Sequence, residues 1–529
     1  LADITSLARN RAIAIGAMAL GAGCQTEPAP AAPVPPSGPP SAQQAIARYE
    51  AEESRLLEPM LLEVLRFATH AGNEPAHAAQ KQWLVQAAAE LGLVARDAGP
   101  VFEIELPGPP GAQVLGLVVH GDVVEVDPER WSFPAFEPRV ESGAGVRVIR
   151  GRGAADDKGP LVQALLAMKA LEQSGLARKT TIRLLVGTDE ESGSTDVAAY
   201  LRSNRPPDLS LVLDSAFPVV VGEKAWNALA VSAAAGAPQS GAQPWRVTLL
   251  EAGLATSIVP DIATATLAWS AGTPDWAPLI QRLRARPLPD GITLDLTPAA
   301  ATLTVVAHGR AAHAGVNLAG GRNALVALAG VLDGELPVGT PSCLLGFAKM
   351  AGQDTTGTGL GITDQDPMWG RYDVNVATIK PTPEGALALT INVRRTPPRT
   401  GPALEQHLRE VVAGFGQRTG CALDAGGYFG DEPLVFDPDS PVIARLLAAY
   451  ERGTGEKALP VVSGGGTYAK RIPGAIAFGM WFPGQPYPGH DVDESAPIAD
   501  LHRGARVLLE ALVDLACSDA PLPALRRQP

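Results

Sequence analysis

Residues 114–119 form an unbroken apolar run, and residues 181–186 and 209–213 repeat the texture of a buried strand. An unbroken run, rather than an alternating one, belongs to a sheet covered on both faces. Helical spacing lies between these runs, at 159–173 (closed by Gly175) and 195–203. Two earlier helices are predicted at 45–66, with Leu56, Leu57, Met60, Leu61 and Val64 on one face, and at 77–92. Strands alternating with helices predict an α/β fold, a doubly wound and mainly parallel sheet with helices on both faces. In such sheets ligands gather at the carboxyl ends of the strands. His120, Glu190 and Asp214 all fall there.

A chain of 529 residues is too long for one core. From about residue 226 to 430 the texture changes. Strand-like alternation appears at 244–250, 263–269, 301–307, 371–379 and 385–394, with helical stretches at 275–284, 322–333 and 402–415. This reads as an α+β domain inserted into the first. The α/β texture resumes with a helix at 440–452, a Gly-rich loop at 463–467, a strand at 475–480 and a helix at 496–516. The expected units are therefore 45–225 and 431–520 for the first domain and 226–430 for the insert. A net charge of −13 argues against a nucleic-acid partner. The four cysteines are scattered without a C-x-x-C pair, which predicts neither a thiolate zinc site nor a disulfide scaffold.

The first 24 residues read as an export signal, with Arg9 and Arg11 before an apolar stretch at 12–22 that is too short to span a bilayer. Leu20-Gly21-Ala22-Gly23-Cys24 resembles a lipobox, with its large apolar residue one place early. The expectation is a bacterial periplasmic protein or membrane-anchored lipoprotein with a lipid anchor through Cys24; plain export and an artefactual leader on a cytoplasmic protein are the other readings. Residues 25–44, rich in Pro and Ala, read as a tether.

Five polar motifs carry the chemistry. In His120-Gly121-Asp122 the imidazole can ligate a metal while Asp122 fixes its tautomer, or the triplet is a polar surface loop. In Asp156-Asp157-Lys158-Gly159 one carboxylate can bridge two metals, or the acids cap the helix that follows. Glu190-Glu191 offers a metal ligand and a general base, or a solvated acidic turn. Asp214 ends a strand as a ligand or a turn residue, and His490 lies in a polar loop before the last helix. Imidazoles and carboxylates together suit zinc and point to metal-assisted hydrolysis.

In their order, the blocks LVVHGDVV, GRGAADDKGP, GTDEESGS, LVLDSAFPVV and the FPG and HDVDE segments resemble those of the dinuclear zinc peptidases. That family includes aminoacylase, succinyl-diaminopimelate desuccinylase, carnosinase and PepV. The resemblance covers most of residues 45–520. It is strongest to the PepV-type dipeptidase branch, through GRGAADDKGP and the stretch from Asp214 to Gly222-Glu223-Lys224.

The resemblance implies two zinc ions per chain, replaceable by cobalt or manganese. His120 and Asp214 would hold one, Glu191 and His490 the other, and Asp156 both. Asp122 would support His120. Glu190 would deprotonate a water bridging the two metals, and the Asp156–Asp157 peptide would be cis. The insert would be a lid that brings His313 to the oxyanion and Arg394, with Arg395 as a competitor, to the substrate carboxylate. Asn375 and the loop Gly464-Gly465-Gly466-Thr467 would add substrate contacts. The implied activity is hydrolysis of dipeptides or very short peptides. A deacylase of N-acyl amino acids and an inactive exported binding protein are the alternatives. The span from Asp214 to His490 leaves room for a doubled lid, which predicts a monomer. The chain departs from the family pattern after His313, where AGVNLAGGRNA lacks a proline and carries one more residue, and residues 336–371 match it poorly.

Overall fold

The computed structural model describes residues 41–528 apart from 144, 234–238, 271, 383–384 and 486. The signal, Cys24 and most of the tether lie outside the described residues. The last residues assigned to the tether are already structured, because the helix Gln43–Arg48 begins there.

Six strands make the first sheet, in the order Val94–Asp97, Phe102–Leu106, Thr181–Gly187, Val114–His120, Leu209–Val212 and Ala475–Ala477. The last four are mutually parallel, and the first two join antiparallel at one edge. The helices Lys158–Gln173 and Ile498–Ala516 pack together beside it, and residues 158–168 of the first are buried without interruption. A helix with no polar face belongs in the middle of a core.

Val114–His120 is flanked by Thr181–Gly187 on one side and by Leu209–Val212 on the other. Within the sheet, the chain continues from Val114–His120 to Thr181–Gly187 on one side and from Leu209–Val212 to Ala475–Ala477 on the other, so the connections of these adjacent strands diverge at their carboxyl ends and open a crevice there. His120 sits at that end, opposite Gly187 in the register.

A second sheet of eight strands holds residues 225–430, in the order Thr293–Pro298, Thr302–His308, Ile262–Trp269, Trp245–Ala252, Asp373–Pro381, Leu387–Arg395, Ala225–Ala233 and Leu423–Gly430. It has its own hydrophobic core, built from residues between Leu229 and Phe415, with the helices Ala324–Val331, Thr340–Ala351 and Gly401–Thr419 over it. The first core takes residues from Ala42 to Val221 and from Leu434 to Leu522. It runs past residue 520, since Arg527 donates to the carbonyls of Ala469 and Ile472 at 2.7 and 3.1 Å.

Two features depart from the sequence reading. The poorly matching stretch 336–371 contains the buried helix Thr340–Ala351, which Leu344, Phe347 and Ala348 anchor. Cys343 on that helix is bonded to Cys421, just beyond the helix Gly401–Thr419, with a sequence separation of 78. The expectation of unpaired cysteines is corrected for this pair; folding brings them together and no local spacing records it. A covalent loop of that length restricts the unfolded chain, so replacing both cysteines with serine is expected to cost about 2–4 kcal/mol. A lowered urea midpoint, with the initial rate of turnover retained, is the measurement.

Candidate active site

His120, Asp156, Glu190, Glu191, Asp214 and His490 converge in the crevice. His120 Nε2 lies 2.9 Å from Asp156 Oδ1 and 3.9 Å from Asp214 Oδ2. His490 Nε2 lies 2.9 Å from Glu191 Oε2 and 3.3 Å from Asp156 Oδ2. Asp156 thus faces one imidazole with each oxygen. Potential ligand atoms of His120, Glu190 and Asp214 lie within 4.8 Å of one another, as do those of His120, Asp156 and Glu191.

Each motif has an internal logic. Asp122 Oδ1 and Oδ2 accept the backbone N–H groups of Glu190 and Glu191 at 3.2 and 3.0 Å. His120 Nδ1 meets the backbone carbonyl of Asp122 at 3.0 Å and its carboxylate at 3.5 Å. One aspartate therefore orients the imidazole and fixes the acidic turn. Asp157 accepts the backbone N–H of His120 at 3.1 Å, while Lys158 Nζ donates to the Phe67 carbonyl at 2.6 Å. The Asp156–Asp157 peptide is cis.

Glu494 and Tyr487 escaped the sequence reading. Glu494 is fully buried and accepts from Arg152 at 2.8 Å and from the N–H groups of Gly153, Ala155 and Asp156 at 2.9, 2.8 and 3.1 Å. It moulds the loop that presents Asp156. Tyr487 donates its hydroxyl to Asp156 Oδ2 at 2.6 Å. Only their closeness to His490 in the chain hinted at either role.

The second sheet contributes His313 and Arg394. Gly315 and Val316 donate their N–H groups to His313 Nδ1 at 3.3 and 3.0 Å. Burial, then the neighbouring His490 and Arg394, holds His313 well below the usual histidine range. A neutral ring that accepts at Nδ1 carries its proton on Nε2, so His313 is a donor. Its ring centroid stands 4.7 Å from that of His490. The loop after His313 passes close to the Gly-rich loop: a Cβ on Gly315 would collide with the Gly464 backbone at 2.5 Å.

Arg394 is buried and donates to Asn392 Oδ1 at 3.2 Å and Ser257 Oγ at 3.3 Å. Burial pulls its pKa down to about 10, which leaves it charged at neutral pH. Arg395 points elsewhere and is spent on Asn227, Glu432 and the carbonyls of Arg399 and Asp431.

Three residues expected to contact substrate have polar groups engaged within the protein. Asn375 does not line the crevice. Its amide holds the carbonyls of Thr256 and Ile258, at 3.4 and 2.9 Å, from behind. Thr467 lines the crevice, but its N–H and hydroxyl are committed to Glu223 at 3.1 and 2.8 Å. The Gly465 N–H is taken by Ser463 Oγ at 3.0 Å. Gly465 and Gly466 both line the crevice.

Two cavities meet at the cage. One of about 490 Å³ includes Arg394, Ser257, Trp226, Asp431 and Lys470. The other, of about 270 Å³, includes Asp156, Asp214, Trp481 and Tyr487. Glu190, Glu191, His313 and His490 line both.

The electrostatics suit cations. Burial raises Asp214 well above the usual carboxylate range, and Asp156 and Asp157 raise it further. Burial likewise raises Glu190, with Glu191, Asp122 and Asp156 adding to it against the pull of His120. Mutual repulsion among buried carboxylates is what a bound divalent ion relieves. Oxygen and imidazole donors without thiolate fit zinc, cobalt or manganese.

A parallel sheet with imidazoles and carboxylates at its strand ends, facing a histidine and an arginine from a second sheet, defines a metal-dependent hydrolase. The pattern of Peptidase family M20/M25/M40 matches residues 116–514, and the chain belongs to this family. It is 29% identical to the YtjP protein of Bacillus subtilis (strain 168) over 77% of this chain and 84% of that one. It is 28% identical to the Beta-Ala-Xaa dipeptidase of Lactobacillus delbrueckii subsp. lactis, over 77% and 82%. Among solved structures, the di-peptidase Dug1p of Saccharomyces cerevisiae shares the fold at TM-score 0.56 and 11% identity, over 91% of this chain and 99% of that one. Human carnosine dipeptidase 1 shares it at TM-score 0.54 and 14% identity, over 90% and 99%.

Proposed function

We propose that this chain hydrolyses the peptide bond of dipeptides and very short peptides that carry a free carboxylate. The observation that carries the reading is the meeting of the ligand cage, Glu190, His313 and Arg394 along two joined cavities of one chain. A relative named as a Beta-Ala-Xaa dipeptidase supports the same substrate class.

In this reading His120, Asp156, Glu191, Asp214 and His490 would hold the zinc ions. Ions held there would supply a Lewis acid for the scissile carbonyl and bring loss of a water proton within reach near neutral pH. Glu190 takes that proton and returns it to the leaving amine. His313 donates from Nε2 to the oxygen that gains charge as the carbonyl carbon becomes tetrahedral. Arg394 grips the terminal carboxylate with its planar fork.

The reading extends to location and assembly. The Arg-flanked apolar leader and the Cys343–Cys421 pair both suit an oxidising compartment outside the cytoplasm. His313 and Arg394 come from the same chain as the cage, which suits a monomer.

The test is a panel of free-amine dipeptides beside N-acetyl amino acids. Turnover of the dipeptides is expected to vanish on chelation and to return with zinc, cobalt or manganese. Faster cleavage of the N-acetyl amino acids would make the chain a deacylase, and turnover that survives complete metal removal would end the metal assignment.

A further inference from the structure

We propose that the smaller cavity receives the side chain of the substrate's first residue and selects an aliphatic one, with Trp481 and Val462 setting the choice. This inference rests on the dipeptidase reading and sharpens it.

Arg394 fixes which way the substrate lies. Its guanidinium lines the larger cavity, in the company of Asp431 and Lys470, and is not part of the smaller one. A dipeptide whose carboxylate meets Arg394 and whose scissile bond lies beside Glu190 must place its first residue in the smaller cavity.

The walls there differ in kind. Beyond the cage residues, the smaller cavity is walled by Ala216, Val316, Val461, Val462 and Trp481, with the hydroxyls of Ser215, Ser463 and Thr467 and loop glycines between them. None of these carries charge. Two aromatic groups that could offer a polar tip have already used it. The Trp481 indole N–H donates to the Gln485 carbonyl at 3.2 Å, and the Tyr487 hydroxyl donates to Asp156 at 2.6 Å. Their rings stand edge to face, with centroids 5.7 Å apart, so each holds the other in place.

A charged first residue that lay against Trp481 and the valines would give up hydration to a wall that carries no charge. An aliphatic one would bury apolar surface against Trp481 and the valines. The cavity of about 270 Å³ must also hold the metal ions, so the room left suits leucine, valine or methionine better than tryptophan. Glycine would leave that room unfilled.

The experiment uses the metal-loaded protein and compares kcat/KM for Leu-Ala, Val-Ala, Gly-Ala, Asp-Ala and Lys-Ala. Leu-Ala is expected to exceed Gly-Ala, Asp-Ala and Lys-Ala by at least about tenfold, as apolar pockets discriminate. Trp481→Ala is expected to bring the Leu-Ala to Gly-Ala ratio of kcat/KM toward one, whatever the absolute rates. Val462→Thr, which keeps the side-chain shape, guards against a folding defect and is expected to narrow the same ratio. Calorimetry adds a readout independent of turnover, with free leucine binding more tightly than free aspartate. Equal kcat/KM across the panel, or a Leu-Ala advantage untouched in both variants, overturns this inference and leaves the dipeptidase reading standing. Failure to cleave any dipeptide overturns both.

Discussion

Glu190→Gln is expected to lower kcat by roughly 10²- to 10⁴-fold, the usual contribution of a positioned general base. The two adjacent glutamates are told apart by their partners. Glu191 faces His490 Nε2 at 2.9 Å and belongs to the cage. Glu190 lines both cavities, and Asp122 pins its backbone N–H at 3.2 Å. Burial together with the surrounding carboxylates raises its proton affinity, which is the direction a base must move to receive a proton from water. The amide keeps the size of the side chain and removes the basic oxygen. Metal content measured by mass spectrometry is therefore expected to stay at the wild-type level while turnover collapses. Unchanged kcat with full metal content would remove Glu190 from the mechanism. Glu191→Gln is the contrasting case, in which metal content falls along with rate.

The second large effect is expected from Arg394→Met. Loss of a buried, charge-assisted contact to the substrate carboxylate costs about 2–5 kcal/mol, roughly thirtyfold to several thousandfold in kcat/KM. Arg394 is positioned by Asn392 and Ser257, and its charge persists in spite of burial. The loss should fall mainly on KM. A dipeptide amide, which has no carboxylate to grip, separates recognition from structure. Wild type and Arg394→Met are expected to cleave the amide at similar, low rates. If the variant loses as much activity on the amide as on the free acid, Arg394 supports the fold and does not read the substrate.

The parts of this site that could be read in the sequence share one property. His120 ends a largely buried strand, and Glu190 and Asp214 come two or three residues after one, so an apolar run announces the polar residue near its end. His313 and Arg394 had no such herald. Resemblance to a family pointed to them, and the structure places both beside the cage. Asn375 shows the limit of that route. It lies on the strand Asp373–Pro381, and nothing in the spacing tells whether its amide meets substrate or the neighbouring carbonyls. Glu494 was unreadable for another reason. Its partners Gly153, Ala155 and Asp156 precede it by 341, 339 and 338 positions, and an acid in a polar loop has no local mark of burial. The helix Thr340–Ala351 was obscured by the Gly- and Thr-rich segments around it.

The insert leaves the first core along the strand Ala225–Ala233 and returns along Leu423–Gly430, and Asn227 stands opposite Gly430 in their pairing. Both covalent connections therefore run side by side. A body tied at two neighbouring strands has its covalent pivot on the line joining them, and ion pairs such as Lys470–Asp431 hold it against the first core. His313 and Arg394 ride on that body together, so a single rotation about that line would carry both side chains away from the cage at the same moment.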